Sequence, residues 1–294
     1  MNTGFLYALA TYILWGLFPI YWKQLQHISA DQVLGHRVIW SFIMLAVVIL
    51  LSGKKDEFRV KLNAQTFKAH GWASLLLGVN WLTYVWAVNT GYIVESSLGY
   101  FINPLFSVFL GMVFLKEKLR PLQWVPITLA GIGVLYLSIV YGRLPWIALL
   151  LAFSFGIYGL LKKKSTLGSL YGLTLETGII FLPALGYLLY LSSQGNNVFA
   201  HANPQTSLYL IGAGAVTAIP LLLFAKAAQR IPLTMIGLMQ YIAPTGQLLI
   251  GILLYNEEFT ASQAIGFGII WTALILFWAE SWLVSRKNSL TNSV

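Results

Sequence analysis

The sequence predicts an all-α polytopic membrane protein with ten transmembrane helices, arranged as two inverted repeats of five helices. Three observations lead to this prediction. The composition is 58% hydrophobic and 9% charged, whereas a soluble domain carries roughly a quarter charged residues. Ten apolar segments follow one another along the 294 residues. The two halves match when the chain is shifted by 140 residues, and each half holds five of the segments.

Each apolar segment is long enough to cross a bilayer, which takes about 17–25 residues in a helix. Most connections between the segments are short, so consecutive helices are expected to pack as antiparallel neighbours. The longest connections lie at 53–68 and 192–206. The predicted spans are 4–22, 31–52, 69–89, 93–115, 121–140, 145–161, 170–191, 207–225, 232–254 and 261–283.

The repeat register pairs individual residues of the two halves. Pro104 falls on Pro244, and His36 falls on Glu176. Because five is an odd number of spans, the second copy must enter the membrane from the side opposite to the first. Inverted repeats of this kind are typical of secondary transporters. The predicted organisation is a first repeat at 4–143, a second repeat at 144–283 and a tail at 284–294.

The basic residues are distributed unevenly between the two sides of the membrane. With the N-terminus in the cytoplasm, the inner segments hold 15 of the 18 Lys and Arg residues. The outer loops hold only Lys23 and Arg143, and Arg37 lies inside a span. The positive-inside rule then places both termini on the cytoplasmic side of the inner (plasma) membrane. This distribution accounts for the net charge of +9 without a nucleic-acid partner, and the run Lys162–Lys164 is interpreted as a topology signal.

Several chemical classes are excluded by what the sequence lacks. It contains no cysteine, and its four histidines show no spacing typical of metal ligands. It has neither a glycine-rich phosphate loop nor a Gly-x-Ser-x-Gly motif. The sequence therefore predicts a protein that is not an enzyme and that holds no cofactor or metal.

A set of motifs spread along the chain resembles one known family. The motifs are HRVIWSF (36–42), NWLTYVWAVN (80–89), ESSLGYFINP (95–104), LAFSFGIYGLLKKK (151–164), LET (175–177) and QYIAPT (240–245). Together they strongly resemble the RarD group of EamA-domain transporters, within the drug/metabolite transporter superfamily. The resemblance extends from Phe5 to about Trp282. It implies two five-helix EamA repeats around a central cavity, and export or exchange of small metabolites or drugs.

Ionisable residues inside the spans are candidates for gating or coupling, because each costs about 2.5–3.5 kcal/mol on insertion scales. Arg37 and its neighbour His36 lie roughly 9 Å inside the second span, and Glu95 begins the fourth span from the same side. Glu176 lies in the seventh span, and Lys226 lies at the inner end of the eighth. We expect an outer pair of Arg37 with Glu95 and an inner pair of Glu176 with Lys226, which open alternately. Glu176 would couple transport to protons or contact a cationic substrate group, whereas simple snorkelling is the alternative for both basic residues.

Aromatic and amide residues of the third, fourth and ninth spans are the candidates for substrate binding. Pro104 and Pro244 each remove a backbone hydrogen bond in the middle of a span. This predicts a kink at the same depth in both repeats, where such folds hold their substrate. Packing in the core or at the membrane interface is the alternative for the aromatic residues. The candidates are Asn80, Trp81, Tyr84, Asn89, Tyr100, Asn103, Gln240 and Tyr241.

These observations predict an exporter or exchanger of a small organic solute that works by rocking one repeat against the other. The sequence has no ATP-binding motif, so the energy would come from coupling to protons or to a counter-solute. A passive facilitator without ion coupling and a non-transporting membrane scaffold stay open as alternatives. The expected partners are the solute and membrane lipids, and an oligomer stays open.

Glycines of the fifth and tenth spans indicate close approach between helices. Gly131, Gly133, Gly266 and Gly268 lie at these positions, and small residues allow transmembrane helices to pack closely. Such contacts would form either within one chain or between two chains of a dimer.

Overall fold

The protein is built from α-helices joined by short turns in this computed structural model. The structure describes residues 3–53, 55–90, 92–201, 203–256 and 259–291, without the side chains at 88, 89, 93, 94, 200, 281, 282 and 285–291. The helices of these ranges are α1 (Thr3–Gly16), α2 (Phe18–Trp22), α3 (Ala30–Leu51), α4 (Lys55–Lys61), α5 (Ala64–Asn89), α6 (Ile93–Leu115), α7 (Trp124–Tyr141), α8 (Trp146–Lys164), α9 (Ser169–Ser193), α10 (Val198–His201), α11 (Pro204–Ala228), α12 (Leu233–Met239), α13 (Ile242–Tyr255) and α14 (Ala261–Thr291).

The helices agree with the predicted spans and confirm the predicted fold class. Within the described ranges, nine helical segments are long and apolar enough to cross a membrane. Two of them combine helices: α1 with α2, and α12 with α13. The remaining predicted span corresponds to α5, which is 26 residues long. Its hydropathy is lowered by polar residues such as His70, Ser74 and Asn80. The two longest connections contain the short helices α4 and α10.

The duplication is visible in the backbone geometry at equivalent helix ends. Lys116 ends α6 with a φ of 54°, and Asn256 ends α13 with a φ of 52°. Their amides donate to the carbonyls of Gly111 and Gly251, respectively. These two are the non-glycine residues with a positive φ in the described part of the chain. Both pairs follow the 140-residue register, so the two repeats end this helix in the same way.

Helices of one repeat pack mainly on helices of the other. α6 packs on α8, and the equivalent contact in the other direction is that of α13 with α1. In the same way, α3 packs on α11, and the equivalent contact is that of α9 with α5. A large core joins α1, α3, α5, α8, α11 and α12. A second core joins α6 to α7 and α14. This crossed packing leaves a space between the two repeats near the centre of the bundle.

Two of the four glycines singled out in the sequence serve packing within the chain. A Cβ atom added at Gly266 would lie 2.5 Å from the side chain of Leu137, and one added at Gly133 would lie 3.0 Å from a side chain of α14. These two glycines therefore allow α7 and α14 to approach closely. Gly131 and Gly268 face open space, with no atom within 4 Å of an added Cβ.

The equivalent prolines Pro104 and Pro244 do not have equal effects. α6 continues as one helix through Pro104, whereas the equivalent helix is interrupted at Gln240 and Tyr241, between α12 and α13. The interruption falls where the ring of Pro244 would meet the carbonyl four residues earlier, that of Gln240. The second repeat therefore has a break at this position, while the kink at Pro104 stays a prediction. The hydroxyl of Tyr241 donates to the carbonyl of Phe101, 3.1 Å away, which links the two equivalent regions.

Candidate functional site

A cavity of about 310 Å³ lies where the two repeats meet. Small-molecule sites have volumes of roughly 300–1,000 Å³, so this one suits a metabolite of modest size. Its lining includes Trp22 at the end of α2, Tyr84 near the end of α5 and Ser96 near the start of α6. The cavity therefore occupies the half of the bundle that lies away from the start of α1.

Most of the predicted substrate-binding residues line this cavity. Tyr241 does not: it is fully buried in the core beside α6, with its hydroxyl donated to a backbone carbonyl. The side chain of Asn89 lies outside the described part of the chain. The predicted residues that line the cavity are Asn80, Trp81, Tyr84, Tyr100, Asn103 and Gln240.

Other lining residues were missed by the sequence analysis. Most of them are aromatic or aliphatic. Since hydropathy does not distinguish a cavity wall from a packed core, only the tertiary structure identifies them. The missed residues include Trp15, Trp22, Phe155, Thr217, Leu221 and Gln247.

Arg37 reaches the cavity but does not form the predicted pair with Glu95. Its Nε donates a hydrogen bond to the hydroxyl of Thr217 at 3.0 Å. Its guanidinium carbon lies 4.8 Å from the ring centroid of Trp22 and 5.2 Å from that of Trp81. Among the described residues, no carboxylate lies within ion-pair distance of Arg37.

Glu95 has other partners, which explains why the predicted outer pair is absent. Its carboxylate is 1% exposed and accepts hydrogen bonds from the Tyr141 hydroxyl at 2.5 Å and the Ile147 amide at 2.8 Å. The guanidinium of Arg143 lies 4.0 Å away. Ile147 belongs to the first turn of α8, whose free amides and dipole favour a negative charge. Glu95 therefore ties α6 to the start of α8.

Glu176 lies at the centre of a buried group that we call the polar cluster: His70, Tyr158, Lys162 and Glu176. Glu176 Oε1 is 2.6 Å from His70 Nδ1 and 2.9 Å from Lys162 Nζ. The hydroxyl of Tyr158 donates to Glu176 Oε2 at 3.1 Å. All four side chains are buried. The cluster joins α5 of the first repeat to α8 and α9 of the second.

The predicted inner pair of Glu176 with Lys226 is therefore wrong. Lys226 Nζ instead lies over the ring of Tyr7, 5.4 Å from its centroid. The cation that pairs with Glu176 is Lys162, which the sequence analysis interprets only as part of a topology signal. The spacing of four residues between Tyr158 and Lys162 puts both on one helix face, and this spacing was the signal that could have revealed the cluster.

His36, the repeat counterpart of Glu176, lies outside the cavity. Its ring is tilted by 34° against the ring of Phe199, with the two centroids 5.0 Å apart. Within the described residues, neither ring nitrogen has a hydrogen-bond partner. The two equivalent positions therefore differ: Glu176 lies in the polar cluster, whereas His36 lies against an apolar ring.

An aromatic floor, which we define as Trp15, Phe155, Tyr158 and Phe224, separates the cavity from the polar cluster. Trp15 and Phe155 line the cavity with ring centroids 5.6 Å apart. Phe224 lies 5.3 Å from Phe155 and 6.2 Å from Tyr158. Tyr158 and Phe224 are 0% and 2% exposed, so the bundle is closed on the side of the polar cluster.

Comparisons with known proteins agree with the resemblance seen in the sequence. Residues 2–139 and 144–279 match the model of the EamA-like transporter family. The chain is 47% identical over 285 residues to the uncharacterized transporter YojE of Bacillus subtilis (strain 168), covering 93% of each chain. It is 42% identical over 288 residues to Protein RarD of Streptomyces exfoliatus, covering 98% of this chain and 91% of that one. Protein RarD of Escherichia coli (strain K12) is 39% identical over 288 residues, with 97% of each chain covered. The predicted resemblance to the RarD group is confirmed.

One solved crystal structure has a similar fold. It matches this chain with a TM-score of 0.69 and covers 94% of this chain and 97% of its own. The sequence identity is 14%, so this likeness concerns the fold alone.

Proposed function

Since the chain belongs to the EamA-like transporter family, we propose that it is a secondary transporter of the inner (plasma) membrane. It exports or exchanges a small organic solute by alternating access. The observation that carries this proposal is the cavity between the two repeats, which the aromatic floor closes on the side of the polar cluster. Rocking of two inverted repeats around a central site is how such folds alternate their access.

The cavity residues of α5, α6 and α12–α13 form the proposed solute site. Asn80 Nδ2 donates to the Leu151 carbonyl and to the Ser154 hydroxyl, each at 3.0 Å, so Asn80 also holds α5 against α8. The rings of Tyr84 and Tyr100 meet edge to face at 6.1 Å. Rigid aromatic walls with a few placed polar groups are typical of small-molecule sites.

The proposed inner gate consists of the polar cluster with the aromatic floor. To open this side, α5 must separate from α8 and α9, which breaks the contact of Glu176 with His70. With both termini in the cytoplasm, the polar cluster lies on the cytoplasmic side and the structure is an outward-facing state. On the outer side the ion pair of Glu95 is with the exposed Arg143 at 4.0 Å, longer than the contacts of the polar cluster, which supports the outer side being the open one.

Transport by the purified chain in liposomes tests the proposal directly. We expect faster counterflow of at least one labelled solute from a metabolite panel than in protein-free liposomes. Ala243→Trp places an indole ring in the cavity and should slow this transport by about tenfold or more. The matched control is Ala264→Trp on the exposed face of α14, which should transport normally. If no solute moves faster than in empty liposomes, a non-transporting scaffold is favoured instead.

Single-cysteine labelling tests the inverted topology, since the chain contains no cysteine. Gln65 and Gln205 are equivalent exposed residues at the starts of α5 and α11. Substitution there keeps the helix caps, in which Asn63 and Asn203 accept hydrogen bonds from downstream amides at 2.9 and 2.7 Å. A membrane-impermeant maleimide should label Gln205→Cys in intact cells, and Gln65→Cys only after permeabilisation. Labelling of both from one side would refute the proposed topology.

A further inference from the structure

We infer that the solute carries a carboxylate on an apolar or aromatic body, and that Arg37 binds this carboxylate. The inference rests on the proposed function, because it treats the cavity as the solute site. It is carried by an arginine that faces the cavity and has no counter-ion among the described residues.

The first argument is the charge of the cavity. Of the described residues that line it, Arg37 carries the one ionised side chain. Glu95, the acidic residue expected to neutralise it, is held by Tyr141 and the start of α8. A charge that is partly removed from water and has no partner is unfavourable. An anionic solute would supply the missing negative charge.

The second argument is the geometry of the guanidinium group. It has five N–H donors, and only Nε has an acceptor among the described residues, the hydroxyl of Thr217. The indole rings of Trp22 and Trp81 flank the group and limit its motion. The remaining donors form the planar fork that binds a carboxylate through two parallel hydrogen bonds.

Hydroxyl groups beside Arg37 add to the anion site. The rings of Tyr84 and Tyr100 meet edge to face at 6.1 Å, and both hydroxyls interact electrostatically with Arg37. Either O–H can turn to donate to a bound anion. One positive charge balances one negative charge, so the site suits a monoanion better than a doubly charged phosphate.

The rest of the lining defines the body of the solute. Trp15, Phe155 and Leu221 form apolar walls, and Asn103 and Gln240 add amide groups near the break between α12 and α13. The volume of about 310 Å³ accommodates a single ring with a short chain. The predicted class is a small aromatic or aliphatic monocarboxylate.

Equilibrium binding to the full chain in detergent, measured by isothermal titration calorimetry, tests the inference. The probes are 3-phenylpropionate, its neutral amide and 3-phenylpropylamine, which share one body and differ in charge. We expect the carboxylate to bind about tenfold or more tightly than the amide, with the amine weakest. Arg37→Gln should remove the preference for the carboxylate, and Arg37→Lys should retain part of it. Lys226→Gln, outside the cavity, is the matched control and should keep the full preference.

The outcomes separate the anion site from the transport function. If the unmodified chain binds the amide or amine as tightly as the carboxylate, or binds none of the three, the inference is overturned, and this result does not depend on the folding of any variant. A carboxylate preference without transport of any solute in liposomes would uphold the anion site and refute the transporter. Transport of neutral or cationic solutes with no carboxylate preference would uphold the transporter and refute the anion site.

Discussion

Replacement of Lys162 by methionine is expected to destabilise the protein by about 3–5 kcal/mol, because it leaves a buried carboxylate without its cation. Lys162 is 1% exposed and Glu176 is 0% exposed, with 2.9 Å between Nζ and Oε1. Methionine fills a similar volume, so the loss reports the charge and its hydrogen bond rather than a void. Unfolding of the purified chain in mixed detergent micelles, followed by circular dichroism, measures the change in free energy.

The neighbouring Lys164 offers a matched control, since it lies in the same basic run but is exposed. Lys164→Met should change the unfolding free energy by no more than about 0.5 kcal/mol. The double variant Lys162→Met with Glu176→Gln should recover much of the lost stability, because no unpaired charge then remains in the interior. Equal effects of the two lysine substitutions would contradict the assignment of Lys162 to the polar cluster.

The same variants bear on the gate. His70 belongs to α5 of the first repeat, whereas Lys162 and Glu176 belong to α8 and α9 of the second, so opening towards the polar cluster breaks the contact between His70 and Glu176. An interaction shifts the equilibrium between the closed and open states only by the difference between its free energies in those two states. Loss of the ion pair would therefore shift this balance only as far as it changes the contact between Glu176 and His70, in addition to its effect on unfolding.

Gly214→Ala is expected to cost stability at the upper end of the about 1–3 kcal/mol range for overpacking. A Cβ atom at Gly214 would lie 2.4 Å from the carbonyl carbon of Trp40 and 2.7 Å from the amide nitrogen of Ser41. These are backbone atoms, so α11 and α3 would have to move apart. The movement would also weaken the hydrogen bond of 3.0 Å from the Ser41 hydroxyl to the Gly214 carbonyl.

Gly131→Ala in α7 is the control for this substitution, because an added Cβ there meets no atom within 4 Å. It makes the same chemical change in a helix and should stabilise the protein by about 0.5–1 kcal/mol through helix propensity. The midpoint of thermal unfolding in detergent, followed for both variants, compares the two. A Gly214→Ala variant as stable as Gly131→Ala would show that the close approach of α3 and α11 is not required.

The sequence predicts helix positions well because hydropathy along a chain is a local property. The fourth predicted span, 93–115, coincides with α6 (Ile93–Leu115). Breaks within a span are harder to predict, since prolines at equivalent positions leave α6 continuous and separate α12 from α13. The difference depends on which neighbouring groups take up the freed backbone atoms, and those neighbours come from distant parts of the chain.

By itself the sequence determined the class of the molecule, the number of spans, the duplication, and the polar residues near the middle of the bilayer. Those features follow from composition and from a register that holds along the whole chain. The tertiary structure alone decided the partners: Glu176 meets His70, 106 residues away, rather than Lys226, and Arg37 faces the cavity without Glu95. A sequence pattern gives the depth of a residue in the membrane, whereas its partners depend on how each helix is rotated and on which helices it touches.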